Sequence, residues 1–253
     1  MFDPEAEFAW MRTIARETGR PVTFGCLQDD LRPEHWRRLL ELADQARAEG
    51  IPIVPQVAGK PASVLFGWDS TAHPFMFHRT WQEIADLPPE ERRARLRDPE
   101  VRAAMLRERP EVSGIAAVIT SAFHKMFPLG DPPDYEPGPE KSVKAIAERE
   151  GRTPEEVTYD LMMADDGRGL LYIPLLGYAH GDFGALHEML THPGTVLGLG
   201  DGGAHCGLLC DASLPTYMLT HWARDRSRGE RLGLEQAVHM QTRATAALYG
   251  CDD

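Results

Sequence analysis

Two β-rich runs, residues 21–27 (Pro-Val-Thr-Phe-Gly-Cys-Leu) and 51–57 (Ile-Pro-Ile-Val-Pro-Gln-Val), bracket an amphipathic segment at 34–48. Within that segment Trp36, Leu39, Leu40 and Ala43 recur at helical spacing, and Gly50 follows as a C-terminal stop. A strand, a helix of this length and a second strand make a βαβ unit, which predicts a parallel sheet. The chain is thereby an α/β protein. The pattern alone fits a barrel and a doubly wound sheet equally.

The remaining segments extend that pattern. Residues 4–18 read as a helix with Phe8, Met11, Ile14 and Ala15 on one face and Gly19 at its end. Residues 58–80 are irregular and rich in Gly, Pro and aromatic residues, and 81–109 are helical and heavily charged. Together, residues 62–112 form an excursion from a single domain that spans 1–253. The apolar run Ile115-Ala116-Ala117-Val118-Ile119-Thr120 reads as a short buried strand. Residues 126–139 carry five prolines and two glycines and form a long loop. Residues 141–150 form a short helix. Thr153-Pro154-Glu155-Glu156 spells a capping box that opens a helix through about Met163. Further helices are expected at 183–191 and 234–249, with a strand at 195–200.

The formal net charge of -12 argues against a nucleic-acid backbone or an anionic membrane as partner, since both reward Lys and Arg. The basic run 92–97 is broken by acidic neighbours and reads as a solvated helix face. No stretch reaches the ~18 apolar residues of a membrane span, and the acidic start lacks the form of a signal peptide, so a cytoplasmic location is expected. Four cysteines, Cys26, Cys206, Cys210 and Cys251, supply no second pair for a structural zinc site and read as core residues.

Asp201 is the residue with the clearest chemical signal. It directly follows the apolar strand and precedes Gly202 and Gly203. In parallel α/β folds the working residues sit where strands end. A carboxylate there can ligate a metal or take a proton from a metal-bound water, and two glycines let the backbone approach a ligand. His205 lies four residues on. The bland alternative is a turn aspartate that accepts local backbone N–H bonds.

The run Val196-Leu197-Gly198-Leu199-Gly200-Asp201-Gly202-Gly203-Ala204-His205, then Cys210 to Ser213, Pro215-Thr216, Leu219 to Trp222 and Arg224-Asp225-Arg226, closely resembles the amidohydrolase family 3 proteins, among them the D-aminoacylases or N-acyl-D-amino-acid deacylases. Leu234 to Gly250, Pro21 to Gln28, Pro55 to Pro61 and Arg97 to Arg102 resemble the same family. The resemblance implies a (β/α)8 barrel with a small β-sandwich, and hydrolysis of an N-acyl amide with one or two zinc ions. It implies that Asp201 is both the catalytic acid/base and a metal ligand. Gly202, Gly203, His205, Gln56 and His180 then become candidates for binding the substrate, an N-acylated amino acid or related amide. Such proteins open with a His-x-His pair on the first strand. The ten histidines here include no His-x-His, so the expectation is the C-terminal portion of a barrel that lacks the first strands and the β-sandwich, with most metal ligands absent. The arginine that D-aminoacylases place after this aspartate to hold the substrate carboxylate has no counterpart before Arg224.

Two other functions compete: a non-catalytic binding module or one subunit of a split barrel, and a cyclic-amide hydrolase of the hydantoinase or dihydroorotase kind. Among other residues, Lys60 flanks a strand end beside Gln56, and His124-Lys125 reads as a surface pair. His73 and His78, set among aromatics, read as a cover for the core.

Overall fold

The computed structural model describes residues 3–198, 200, 207–209 and 211–251, apart from the side chains of Ile115, Ile119 and Asp211. In chain order the elements are α1 (Pro4–Thr18), β1 (Val22–Gly25), α2 (His35–Ala48), β2 (Ile53–Ala58), β3 (Ala62–Phe66), α3 (Arg79–Gln82), α4 (Pro89–Leu96), α5 (Pro99–Arg107) and α6 (Gly114–Ser121). There follow β4 (Phe127–Pro128), α7 (Val143–Glu150), α8 (Pro154–Gly167), β5 (Leu171–Leu176), α9 (Gly184–Thr191), β6 (Val196–Gly198), α10 (Leu214–Tyr217), a π-helical segment (Met218–Asp225), α11 (Leu234–Gln241) and α12 (Arg243–Leu248).

The chain divides into two compact units. The first holds Met1–Ala62, Leu175–Gly203 and Asp211–Asp253; the second holds Ser63–Pro174 and Ala204–Cys210. In the first unit β1, β2 and β6 form a parallel sheet with β2 in the middle. Val22 to Gly25 pair with Ile53 to Gln56, and Gln56 to Ala58 pair with Val196 to Gly198. Strand side chains alternate faces. Val22, Phe24 and Ile53 therefore pack against Phe8, Met11 and Ala15 of α1 and Leu42, Ala43 and Ala46 of α2. Phe8 meets Phe24 edge to face at 5.4 Å. Each large apolar side chain buried here contributes about 1.5–3 kcal/mol.

The helix ends follow from their sequence. Asp3 caps α1 by accepting from the N–H groups of Glu5 and Ala6, Pro4 occupies the first turn, and Gly19 closes the helix in the left-handed region. Thr153 and Glu156 form the reciprocal capping box of α8, whose regular backbone ends at Met163, just before the non-helical Ala164.

The second unit has its own sheet, ordered β3–β5–β4, with β4 antiparallel to β5. Residues 207–209 run beside β3: Leu65 N–H donates to Leu208 at 2.8 Å, and Thr71 N–H to Gly207 at 2.9 Å. Its core is aromatic. Trp68 stacks on Phe75 and Trp81 and meets Tyr159 edge on. His73 and His78 are buried beside these rings, as their aromatic sequence context suggests.

Four expectations need correction. Residues 115–120 lie in helix α6, not in a strand. Thr120 and Ser121 hydroxyls donate back to the carbonyls of Ala116 and Ala117, and Val118 is exposed. A six-residue apolar run does not discriminate between strand and helix by periodicity. The closing helix is broken at Thr242 (φ -125°, ψ -94°) into α11 and α12. Strand β3 lies inside the stretch read as irregular, and β4 inside the one read as a long loop.

Candidate active site

The first unit's sheet has a helix-facing side and an opposite side, and their chemistry differs. On the helix side Ile53, Pro55 and Val57 are buried. Cys26, one residue beyond β1, is fully buried on that side, with its thiol 3.8 Å from the sulfur of Met189 in α9. Burial pushes the Cys26 thiol up to about 12, so the free thiol stays protonated near neutral pH and is a poor nucleophile. The opposite side carries Thr23, Val54 and Gln56, all half-buried. Gln56 Nε2 donates to Thr23 Oγ1 at 2.9 Å. Its Oε1 lies 2.7 Å from where a side chain on Gly198 would begin, so glycine at 198 lets the amide lie across β6.

All three strands are parallel and so end at the same edge of the sheet. Gln28, 1% exposed, stands just past β1. Its backbone carbonyl accepts from Gly177 N–H at 2.8 Å, and its Oε1 from Ala179 N–H at 2.9 Å. Its Nε2 donates to Pro33 at 3.3 Å. Gln28 thus holds the loop that carries His180. Arg228 grips the same loop, donating to the Tyr178 hydroxyl and the Gly181 carbonyl, each at 3.0 Å. His180 Nε2 lies 2.8 Å from Glu34 Oε1 at the start of α2. Hydrogen bonds from Arg37 and His180 hold the Glu34 carboxyl below its usual range.

Past β2, Lys60 is also 1% exposed, and its Nζ reaches Ser213 Oγ at 3.4 Å. Trp222 of the π-helical segment donates to the Gly59 carbonyl at 2.6 Å. π-Helical turns inside helices are rare and concentrate at functional sites. Past β6, Asp201 follows Gly198 by three residues.

The candidate residues divide accordingly. Gln56 lies on the open side of the sheet, and the His180 loop is fixed at its C-terminal edge. Asp201, Gly202, Gly203, His205, Cys206 and Cys210 lie outside the described residues. Gln28 escapes a reading of the sequence, although a glutamine directly after a β-rich run and before Asp29-Asp30 is a signal of a polar strand end.

These features define an α/β protein whose polar residues gather where parallel strands end, the position at which such folds place their chemistry. The chain belongs to the amidohydrolase family, whose model matches residues 3–253. Membership points to hydrolase activity, and members are generally metal-dependent. Neither the curated proteins nor the solved structures give a significant match.

The described residues do not fit a zinc centre. No three His, Cys, Asp or Glu side chains among them come together to hold a metal ion. A catalytic zinc takes about three protein ligands. On the open side, the strands offer Thr23 and Gln56, which are poor zinc ligands, and Cys26 faces the helices.

Proposed function

We propose that the chain serves hydrolysis of an N-acyl amide, in the manner of an N-acyl-D-amino-acid deacylase, with Asp201 as the acid/base. The observation that carries this reading is the parallel sheet itself: β6 leads within three residues to Asp201, beside β2 with Gln56 on its open side.

In that reaction water attacks the acyl carbon. The Asp201 carboxylate accepts one water proton and passes it to the departing nitrogen as the C–N bond breaks, leaving a carboxylic acid and an amine, which separate at neutral pH as carboxylate and ammonium. Gln56, half-buried and pinned by Thr23, offers an amide to orient the substrate, and His180 stands on the loop at the rim. Zinc, one or two ions, is what the resemblance adds. The described residues supply no ligand set for it.

The test is turnover of N-acetyl-D- and N-acetyl-L-amino acids, with hydantoins alongside, by the wild-type chain and Asp201→Asn in zinc-supplemented buffer. The expected loss in the variant is about 10²–10⁴-fold. Full activity in Asp201→Asn overturns the acid/base role, and preference for hydantoins replaces the substrate class by a cyclic amide. The lack of a ligand set among the described residues favours a second reading, a non-catalytic module or split-barrel subunit. That reading prevails if the folded protein hydrolyses none of these amides.

A further inference from the structure

We infer that Lys60 is a positioning residue, which together with Gly59 and Leu214 latches the chain on both sides of Asp201 to the end of the central strand β2. The inference rests on the acid/base reading of Asp201 but stands on contacts that do not involve it.

Four contacts converge on the turn after β2. Lys60 Nζ reaches the hydroxyl of Ser213, twelve residues beyond Asp201 in the chain. The Gly59 carbonyl accepts from Trp222 Nε1 at 2.6 Å. Met218 packs so closely over Gly59 that an added Cβ would lie 2.5 Å from its sulfur. Leu214, 4% exposed, reaches both glycines: one methyl lies 3.3 Å from the Cβ position of Gly59, and the other 3.4 Å from that of Gly200, the residue directly before Asp201.

The physical consequence is geometric. A loop that carries an acid/base must hold it within a fraction of an ångström of its working place, and misplacement by ~1 Å costs about 10²-fold in rate. In the chain Gly200 directly precedes Asp201, and Ser213 and Leu214 follow it by twelve and thirteen residues. Both flanks are tied to Gly59-Lys60. A lysine so fully buried is immobilised along its whole length, so it transmits the position of β2 to Ser213 where a solvated lysine would not. Pro61 extends the latch: its Cα lies 3.4 Å from the Cβ position of Gly177, at the base of the loop that carries His180.

The experiment compares wild type, Lys60→Met, Lys60→Arg and Ser213→Ala by amide hydrogen exchange over residues 212–226 and by turnover of whichever N-acetyl amino acid the wild type cleaves best. Lys60→Met keeps the length of the side chain and removes the ammonium; Ser213→Ala changes an exposed residue and leaves the core intact. In both, exchange over 212–226 should rise by about tenfold or more while α1 and α2 amides keep their rates. For Lys60→Met, kcat should fall about 10–100-fold with KM within about threefold, and Lys60→Arg should recover most of it. Unchanged exchange in both variants overturns the latch. So does a rise in KM with kcat intact, which would make Lys60 a substrate-binding residue. Loss of the acid/base reading appears separately, as an active Asp201→Asn, and leaves the exchange result to judge the latch.

Discussion

The side-chain amide of Gln56 donates to the hydroxyl of Thr23 at 2.9 Å across two neighbouring parallel strands, while its oxygen lies over Gly198 of the third. One polar side chain therefore spans the open side of the sheet. Gly198→Ala would set a Cβ 2.7 Å from Gln56 Oε1 and 2.8 Å from Gln56 Cβ. The second contact involves an atom fixed to the backbone, so the strands must part or Gln56 must swing off Thr23. The expected cost is about 1–3 kcal/mol, read as a lower urea midpoint with an unchanged slope. A midpoint equal to that of wild type would mean that the Gln56–Thr23 bond does not hold this face.

Gln28 satisfies two N–H groups of the His180 loop, through its backbone carbonyl and its side-chain oxygen. Gln28→Leu keeps the size and removes the side-chain acceptor, which strands the Ala179 N–H in a half-buried position. Leaving such a donor unmet costs about 1–3 kcal/mol. The expected local outcome is exchange of the Ala179 amide accelerated by about tenfold or more, with the α1 amides unmoved. Native-like protection of Ala179 in the variant would show that Arg228 and the backbone bond from Gly177 hold the loop without the side-chain acceptor.

Much of this arrangement is legible in the amino-acid order where the signals are local. Asp3-Pro4 and Gly19 bound α1, and Thr153 with Glu156 opens α8, because each cap is made by residues within four positions of the end it closes. The β1–α2–β2 crossover is equally plain, since alternating and helical periodicities stand side by side. What escapes is whatever depends on register or on distant neighbours. Thr23 meets Gln56 only because Gly25 pairs with Gln56 in the parallel register, and Gln28 meets Ala179 across 151 positions. Strand β5 (Leu-Tyr-Ile-Pro-Leu-Leu) is short, contains a proline and lacks alternation, so it passes unread. The helix at 115–120 is misread for want of length. At the site, Gln56 lies two residues before the end of β2 and the His180 loop is tied to Gln28 past β1, whereas the contacts of Gly59 and Lys60 with Leu214 and Ser213 have no trace in spacing.

Cys26 supplies a chemical check on the two-sided sheet. It is fully buried toward α9, and burial raises its thiol to about 12. Cys251 is exposed. Iodoacetamide at about pH 8, where an ordinary thiol is partly ionised, should alkylate Cys251 and leave Cys26 intact in the native protein, as read by peptide mass spectrometry. In urea both should react. Modification of native Cys26 at the rate of Cys251 would place this cysteine on the open side of the sheet, where it would enter the count of metal ligands.

His73 links the aromatic core of the second unit to pH. It is 1% exposed, packed edge-on to Trp81 with ring centroids 4.2 Å apart, and its Nδ1 accepts from Phe75 N–H at 3.2 Å. Its Nε2 has no hydrogen-bond partner among the described residues. Burial, reinforced by the charges of His78 and Arg92, pushes His73 down to about 3. In the unfolded chain an imidazole binds its proton near pH ~6.5. Between those two values the unfolded state holds the extra proton, so this group's contribution is complete above about pH 6.5 and is lost as pH falls toward 3. His73→Phe keeps an aromatic ring and removes the titration. Unfolding free energies measured at about pH 7.5 and about pH 4.5 should therefore differ by about 2–3 kcal/mol more in wild type than in His73→Phe. Equal pH dependence in the two proteins would mean that His73 takes up its proton in the folded state as readily as in the unfolded one, and would overturn this account of its burial.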